Sequence, residues 1–113
     1  MSKVIRISDR GKKKRQVFFS RFELNMLLSV YSRRVIRGEW KDYAIDVGTG
    51  SAAFSVFGAT SAQPAYTIVK LSGSQKKGEG QYVVYDGRQR ITRGSSITDV
   101  LAMFERELKL VSS

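Results

Sequence analysis

The residues best suited to chemistry are the acids of the segment GEWKDYAID, which are Glu39, Asp42 and Asp46. On an extended strand, Asp42 and Asp46 point to the same side. Two carboxylates on one face can hold Mg²⁺ or act as an acid and base pair. Lys41 and the arginines upstream offer these acids a plainer role, as ion-pair partners. The chain has no histidine and no cysteine, which excludes Ser/His/Asp and Cys/His catalytic arrangements as well as disulfides.

Positive charge is the other chemical feature, and it is concentrated near the N-terminus. Residues 1–41 carry twelve Lys and Arg against three acids, whereas residues 42–113 carry eight against seven, within a total net charge of +10. The isoelectric point is about 10.2. Such asymmetry indicates a polyanionic partner, usually nucleic acid or an anionic membrane surface. The densest run is GKKKR, which supplies Lys12, Lys13, Lys14 and Arg15. It is either an arm that contacts phosphates or a solvated tail.

A second basic group follows in the segment SRRVIRG. The 3.6-residue period of a helix places Arg33 and Arg37 opposite the leucines of the same helix, with Arg34 on the flank. Three guanidiniums on one exposed helix face can bridge successive phosphates. Exposed arginines also serve in local ion pairs, so both interpretations stay open.

A third basic group is expected at a β-hairpin in QYVVYDGRQRIT. If Asp86-Gly87 is the two-residue turn, Tyr85 faces Arg88 and Val83 faces Arg90 on one side of the hairpin. An exposed aromatic ring beside arginines is typical of platforms that hold single-stranded nucleic acid. Lys76 and Lys77, in the preceding loop, extend this candidate site. The alternative is a solvated edge ribbon whose charges discourage aggregation.

Two helices are expected to position these groups. The first begins at SRFE, where Ser20 and Glu23 have the spacing of a capping box, and it ends at Gly38. The second follows Ser95 and Ser96, which are candidate N-caps. Trp40 is expected to pack against the end of the first helix. At least two of the three nearby phenylalanines, Phe18, Phe19 and Phe22, are expected in the core.

Short alternating segments separated by turns predict an antiparallel sheet between the helices. The predicted strands are 43–47, 52–57, 65–71, 81–85 and 88–92, with a further edge strand at 3–8. The fold class is therefore α+β, with about five antiparallel strands and an N-terminal and a C-terminal helix packed on one face. Residues 1–16 are assigned to a basic arm and residues 17–111 to a single domain. The predicted core consists of Leu24, Leu27, Leu28, Tyr31, Val35, Ile45, Phe54, Val56, Ile68, Val84, Ile91, Val100, Leu101, Phe104 and Leu108.

Several stretches resemble a known family. FSRFELNMLLSVYSRRVIRGEWKDYAID, FSVF, PAYTIVK, EGQYVVYDGR and RGSSITDVLAMFE are similar to the alphaproteobacterial family catalogued as domain of unknown function 2794. The resemblance covers roughly residues 17–104, and GEWKDYAID at 38–46 is its most distinctive part. It implies a bacterial cytosolic protein and no assigned activity or cofactor. The family commonly has basic residues after FSVF, whereas Gly58 and Ala59 follow it here.

Together these patterns favour a non-catalytic module that binds nucleic acid, either RNA or single-stranded DNA, through charge and shape. The alternative is an adaptor that binds a protein partner, through a sheet edge or through an outer helix face with Met26 and Val30 beside Arg33 and Arg37. A small enzyme with an acidic site ranks third. We expect no cofactor, no membrane span and a cytoplasmic location, because a signal segment and a long apolar run are both missing from the sequence. The sequence does not define an oligomeric state.

Overall fold

The computed structural model describes residues 16–72 and 81–112, with side chains up to Phe104 in the last helix. The elements in chain order are β1 (Gln16–Val17), α1 (Arg21–Ile36), β2 (Asp42–Thr49), β3 (Ser51–Phe57), β4 (Tyr66–Leu71), β5 (Tyr82–Asp86), β6 (Gln89–Gly94) and α2 (Ile97–Ser112). The basic run at 12–15, the predicted strand at 3–8 and the pair Lys76 and Lys77 lie outside the described residues.

The strands form one antiparallel sheet in the order β1-β2-β3-β4-β5-β6. The α+β prediction is confirmed, and the five strands predicted within residues 43–92 all exist. The sixth strand is β1, which pairs Gln16 with Thr49 and Val17 with Gly48. The sequence did not reveal it because two residues are too few to show an alternating pattern.

The predicted local signals determine where α1 begins and ends. Ser20 Oγ accepts the Glu23 N–H at 3.1 Å, and Glu23 Oε1 accepts the Ser20 N–H at 2.7 Å, so the capping box is complete. After the helix, Gly38 adopts φ +80°, a conformation that residues with a side chain rarely adopt. The Glu39 N–H then donates to the carbonyl of Arg34 at 2.9 Å, which completes the cap. At the second helix, Ser96 Oγ accepts the Asp99 N–H at 3.1 Å.

Both helices pack on one face of the sheet, which we call the inner face. The buried cluster joins Leu27 and Val30 of α1 and Val100, Leu101 and Phe104 of α2 to side chains of the strands. The strand members are Ala52, Phe54, Val56, Ile68, Tyr82 and Val84. The predicted core is therefore confirmed at its centre. Leu24, Leu28 and Tyr31 pack against this cluster and are partly buried.

Three predicted core residues are exposed instead. Val35 lies in the last turn of α1. Ile45 lies on β2, which forms the edge of the described sheet over most of its length because β1 pairs only with its last two residues. Ile91 lies at an irregularity of β6. Leu108 falls outside the described side chains. The phenylalanine prediction is also wrong, because only Phe19 is buried and both Phe18 and Phe22 are exposed.

Candidate nucleic-acid interface

The β5–β6 hairpin has a different register from the predicted one. Asp86 pairs with Gln89, so the two turn residues are Gly87 and Arg88. Gly87 has φ +65°, as the first central residue of a primed hairpin turn requires. With Asp86 inside β5, Tyr85 is opposite Arg90 and not Arg88, which corrects the predicted pairing.

A β-bulge in the same hairpin changes the second predicted pair. Val84 pairs with Thr92 while the next residue, Tyr85, pairs with Arg90, so Ile91 is an extra residue on β6. Val83 is consequently opposite Arg93 and not Arg90. The bulge also explains why Ile91 is exposed, since the inner-face position opposite Val84 is occupied by Thr92.

Strand alternation places Tyr85 on the side of the sheet away from the helices, which we call the outer face. The face continues from Tyr85 to Thr67 of β4 and Ser55 of β3 through the strand register. Ser55 Oγ and Thr67 Oγ1 are 3.3 Å apart and share a hydrogen bond. Tyr85 is half-buried and Arg90 is exposed. An aromatic ring and a guanidinium therefore lie side by side on a face that neither helix covers.

Charge is unevenly distributed over the outer face. Arg90 and Arg93, both exposed, lie on β6, and Arg88 projects from the turn beside them. At the opposite edge, Asp42 and Asp46 share the outer side of β2, as their spacing predicts. The face is thus basic at β6 and acidic at β2. The sequence did not indicate Arg93, because a bulge leaves no recognisable pattern in the sequence.

The three arginines at the C-terminal end of α1, which are Arg33, Arg34 and the capping residue Arg37, do not form one exposed face. The Arg34 side chain is buried, with a residue exposure of 5%, which contradicts the predicted flank position. Its Nη1 donates to Glu39 Oε1 at 2.7 Å. The guanidinium carbon lies 5.1 Å from the ring centre of Trp40 and 5.3 Å from that of Phe104. Arg34 is therefore a structural residue that joins the end of α1 to α2.

The other two arginines are closer to solvent. Arg37 is exposed, and its Nε donates to Glu39 Oε2 at 3.2 Å. Arg33 is half-buried and donates to Ser29 Oγ at 3.1 Å. The expected ion-pair role is thus confirmed for Glu39, whose carboxylate contacts both Arg34 and Arg37. Trp40, which stacks with Tyr31 at a centroid distance of 6.3 Å, is buried at the helix end as predicted.

A buried polar network that the sequence did not predict connects α1 to the sheet. Glu23 Oε1 accepts from Lys70 Nζ at 2.8 Å, and Glu23 Oε2 accepts from the Tyr82 hydroxyl. Lys70 also donates to the Phe18 carbonyl at 2.8 Å. Burial acts to raise the pKa of Glu23, but the bonds from Lys70, Tyr82 and Ser20 outweigh it, so the pKa lies below 4.5. Burial and the bond to Glu23 raise the pKa of Tyr82.

A sequence signal for this network existed. Lys70 continues the inner-facing alternation of Tyr66 and Ile68, and a charge at an inward position requires a partner of opposite charge.

In the described part of the chain, no three acidic side chains lie close enough together to hold a metal ion. Neither described helix combines the length and apolar character needed to cross a membrane.

The fold and these surfaces define a small α+β protein whose antiparallel sheet is covered by helices on one face. The chain belongs to the family described as "Protein of unknown function (DUF2794)", whose model matches residues 17–101. This match confirms the resemblance seen in the sequence. No curated protein and no solved structure matches the chain.

Proposed function

We propose that this protein binds single-stranded nucleic acid, without catalysis, at the basic end of its outer face. The observation that carries this proposal is the pairing of Tyr85 with Arg90 on a sheet face that neither helix covers. Bases of any sequence stack on an aromatic ring, while neighbouring guanidiniums contact phosphates. Arg88 and Arg93 add charge on either side of this pair.

The charges of the outer face favour one path for the strand. Asp42 and Asp46 on β2 repel phosphates, whereas the arginines of β6 attract them. We therefore propose that the strand lies over β4, β5 and β6. The GKKKR arm and the pair Lys76 and Lys77 supply further phosphate contacts in this proposal.

The α1 arginines contribute little to the proposed interface. Arg34 is buried, and the charge of Arg37 is offset by Glu39. Because Glu39 is held by two arginines, the acidic group is better explained as structural than as an acid and base pair. The cytoplasmic location and the bacterial origin expected from the sequence remain predictions.

Titration of labelled DNA and RNA at several salt concentrations tests this proposal. Neutralising about four to six phosphates predicts slopes of log affinity against log salt near −3 to −4 for a single strand and −4 to −5 for a duplex. Tyr85→Ala should weaken single-strand binding by about 1 to 3 kcal/mol and duplex binding less. Arg90→Ser should weaken both, whereas Arg37→Ser, a matched change of one exposed arginine, should have little effect.

The second candidate function is that of a protein-binding adaptor. One observation favours it, which is the exposed edge of β2 with its apolar side chains. The outer helix face considered from the sequence is less suitable, because Val30 is buried in the core and Met26 packs against it. If the wild-type protein binds neither polymer at about 50 mM salt, the nucleic-acid proposal is wrong and the adaptor replaces it.

A further inference from the structure

The strand β2 is a sheet edge over most of its length. β1 pairs only with Gly48 and Thr49, so in the described part of the chain residues 42–47 have a neighbouring strand on the β3 side alone. Edge strands are commonly protected from association by lysines, prolines or bulges. The segment DYAIDV contains no lysine and no proline, and its register with β3 is unbroken. Within the described residues, this edge is open to another strand.

The backbone groups of β2 alternate in direction. The Ser72 N–H donates to the Gly50 carbonyl at 3.0 Å, so the backbone groups of Gly50 are directed toward β4. Directions alternate along a strand, so Ala52, Phe54 and Val56 of β3 also bond to β4, whereas the residues between them bond to β2. Counting across the β2–β3 register, the backbone groups directed away from β3 belong to Tyr43, Ile45 and Val47. In agreement, the Tyr43 N–H is bonded by the side chain of Asp42 at 2.9 Å and not by β3.

The side chains of the same three residues point to the inner face and are poorly covered. Tyr43, Ile45 and Val47 are 39%, 40% and 40% exposed. The helices pack mainly over β3, β4 and β5. The Tyr43 ring contacts Tyr31 of α1 at a centroid distance of 4.9 Å, but the row as a whole lies at the margin of the helix layer. A strand added to the edge would receive the outward hydrogen bonds and cover the row at the same time.

We propose that the added strand is β2 of a second copy, paired antiparallel with Ile45 opposite Ile45. Three registers, centred on Ala44, Ile45 or Asp46, pair at least two outward-directed residues of each strand with those of the other strand. With Ala44 at the centre, Asp42 of each copy lies opposite Asp46 of the other. With Asp46 at the centre, the two Asp46 side chains lie opposite each other. Like charges in directly opposed positions destabilise a strand pair. Of these three, only the register centred on Ile45 avoids directly opposed carboxylates, because each Asp46 lies opposite the small residue Ala44. The edge is therefore complementary to itself in one register.

This pairing gives the dimer a defined shape. Opposed residues of antiparallel strands lie on the same face, so the two-fold axis is perpendicular to the sheet. The two sheets join into one, with all helices on one side and both outer faces on the other. The basic hairpins then lie at the two ends of the joined sheet, and dimerisation does not depend on whether they bind nucleic acid.

Light scattering on nuclease-treated protein tests the dimer, and the nuclease removes association through bound nucleic acid. The wild type should have twice the mass of the chain at about 100 μM. Ile45→Lys should be a folded monomer, because the change places two like charges opposite each other at the axis. Ile36→Lys, a matched change at a residue that is 84% exposed on α1, should remain a dimer. A monomeric wild type, or a dimer that persists in Ile45→Lys, would overturn the proposal.

Cysteine substitution tests the register without relying on a destabilising change, since the chain has no cysteine of its own. Directly opposed hydrogen-bonded residues have Cα atoms about 5.5 Å apart, within the range of a disulfide. Ile45→Cys should form a disulfide-linked dimer under mild oxidation. Tyr43→Cys should not, because the two substituted positions lie several residues apart along the strands. Faster linkage at Ala44→Cys or Asp46→Cys would show another register and overturn the proposal.

Discussion

At the scale of single residues, the arginines of α1 show how neighbours of one type acquire different roles. Arg34 is enclosed by Trp40, Phe104 and Glu39, whereas Arg37, one turn later, faces solvent. Helical periodicity placed Arg34 on the flank, but it did not reveal that the chain after Gly38 folds back over it. Residue type and spacing therefore identified the basic group. They did not show that Arg34 is a buried structural residue and that Arg37 is exposed.

This division predicts different effects on stability. Arg34→Ala should lower the free energy of unfolding by about 2 to 3 kcal/mol, because it removes the contacts that the buried side chain makes with Trp40 and Phe104. Arg37→Ala should change it by less than about 0.5 kcal/mol, as expected for an exposed ion pair. Urea denaturation of both variants measures the difference, and equal effects would contradict the assignment.

Glu23 should make stability depend on pH. Its pKa is lowered by folding, so its stabilising contribution is complete above the unfolded-state pKa, near 4.5, and is lost as the pH falls through the folded-state pKa. Glu23→Gln keeps a capping side chain and removes the charge. The variant should be less stable by about 1 to 3 kcal/mol at pH 7, and the gap should narrow at acid pH. A gap that stays constant down to the acid transition would refute this role.

At the scale of elements, sequence patterns located the helices and strands well but not the register between strands. The capping box at Ser20 and the alternation of residues 52–57 depend on nearest neighbours along the chain, so they are visible in the sequence. The turn at Gly87-Arg88 and the bulge at Ile91 depend on how two strands fit together. For this reason the sequence placed Tyr85 and Arg90 on one face of the hairpin, as the structure does, but with the wrong opposing pairs.

The junction between β6 and α2 should tolerate no side chain at Gly94. A Cβ atom there would lie 2.9 Å from Val100 Cγ1, and this valine is buried in the core. Gly94→Ala should therefore destabilise the protein by about 1 to 3 kcal/mol. At Gly58 the nearest atom would be the Glu39 carbonyl oxygen at 3.6 Å, an ordinary contact. Gly58→Ala, the matched control, should be nearly neutral in thermal melts, and a similar loss in both variants would count against the packing argument.

At the scale of the whole molecule, the net charge of +10 is concentrated in residues 1–41, while residues 42–113, which include the β5–β6 hairpin, have nearly balanced charges. The interface proposed on the sheet supplies a stacking ring and a few cations, whereas GKKKR supplies charge that can contact any phosphate. The basic residues of the hairpin and of GKKKR can both be read from the sequence, because residue types do not depend on folding. The sheet contribution became specific only when the structure showed which residues share the outer face.

The arm and the sheet should therefore be separable. Replacing Lys12, Lys13, Lys14 and Arg15 together by Ser should reduce the salt slope and weaken binding to all sequences alike. The melting temperature should stay nearly unchanged, because the substituted residues are all charged and the buried cluster of described residues begins only at Val17. An unchanged slope in salt titrations of this variant would show that the arm does not contact phosphates.

Amide chemical-shift mapping of ¹⁵N-labelled protein, titrated with a short single-stranded oligonucleotide, tests the proposed interface most directly. We predict the largest shifts at Tyr85, Arg90 and Arg93, smaller ones at Thr67 of the neighbouring strand, and little change at Arg34 or Arg37. The shifts should diminish in Tyr85→Ala. Shifts centred on α1 or on the β2 edge, with the β5–β6 hairpin unaffected, would contradict the account.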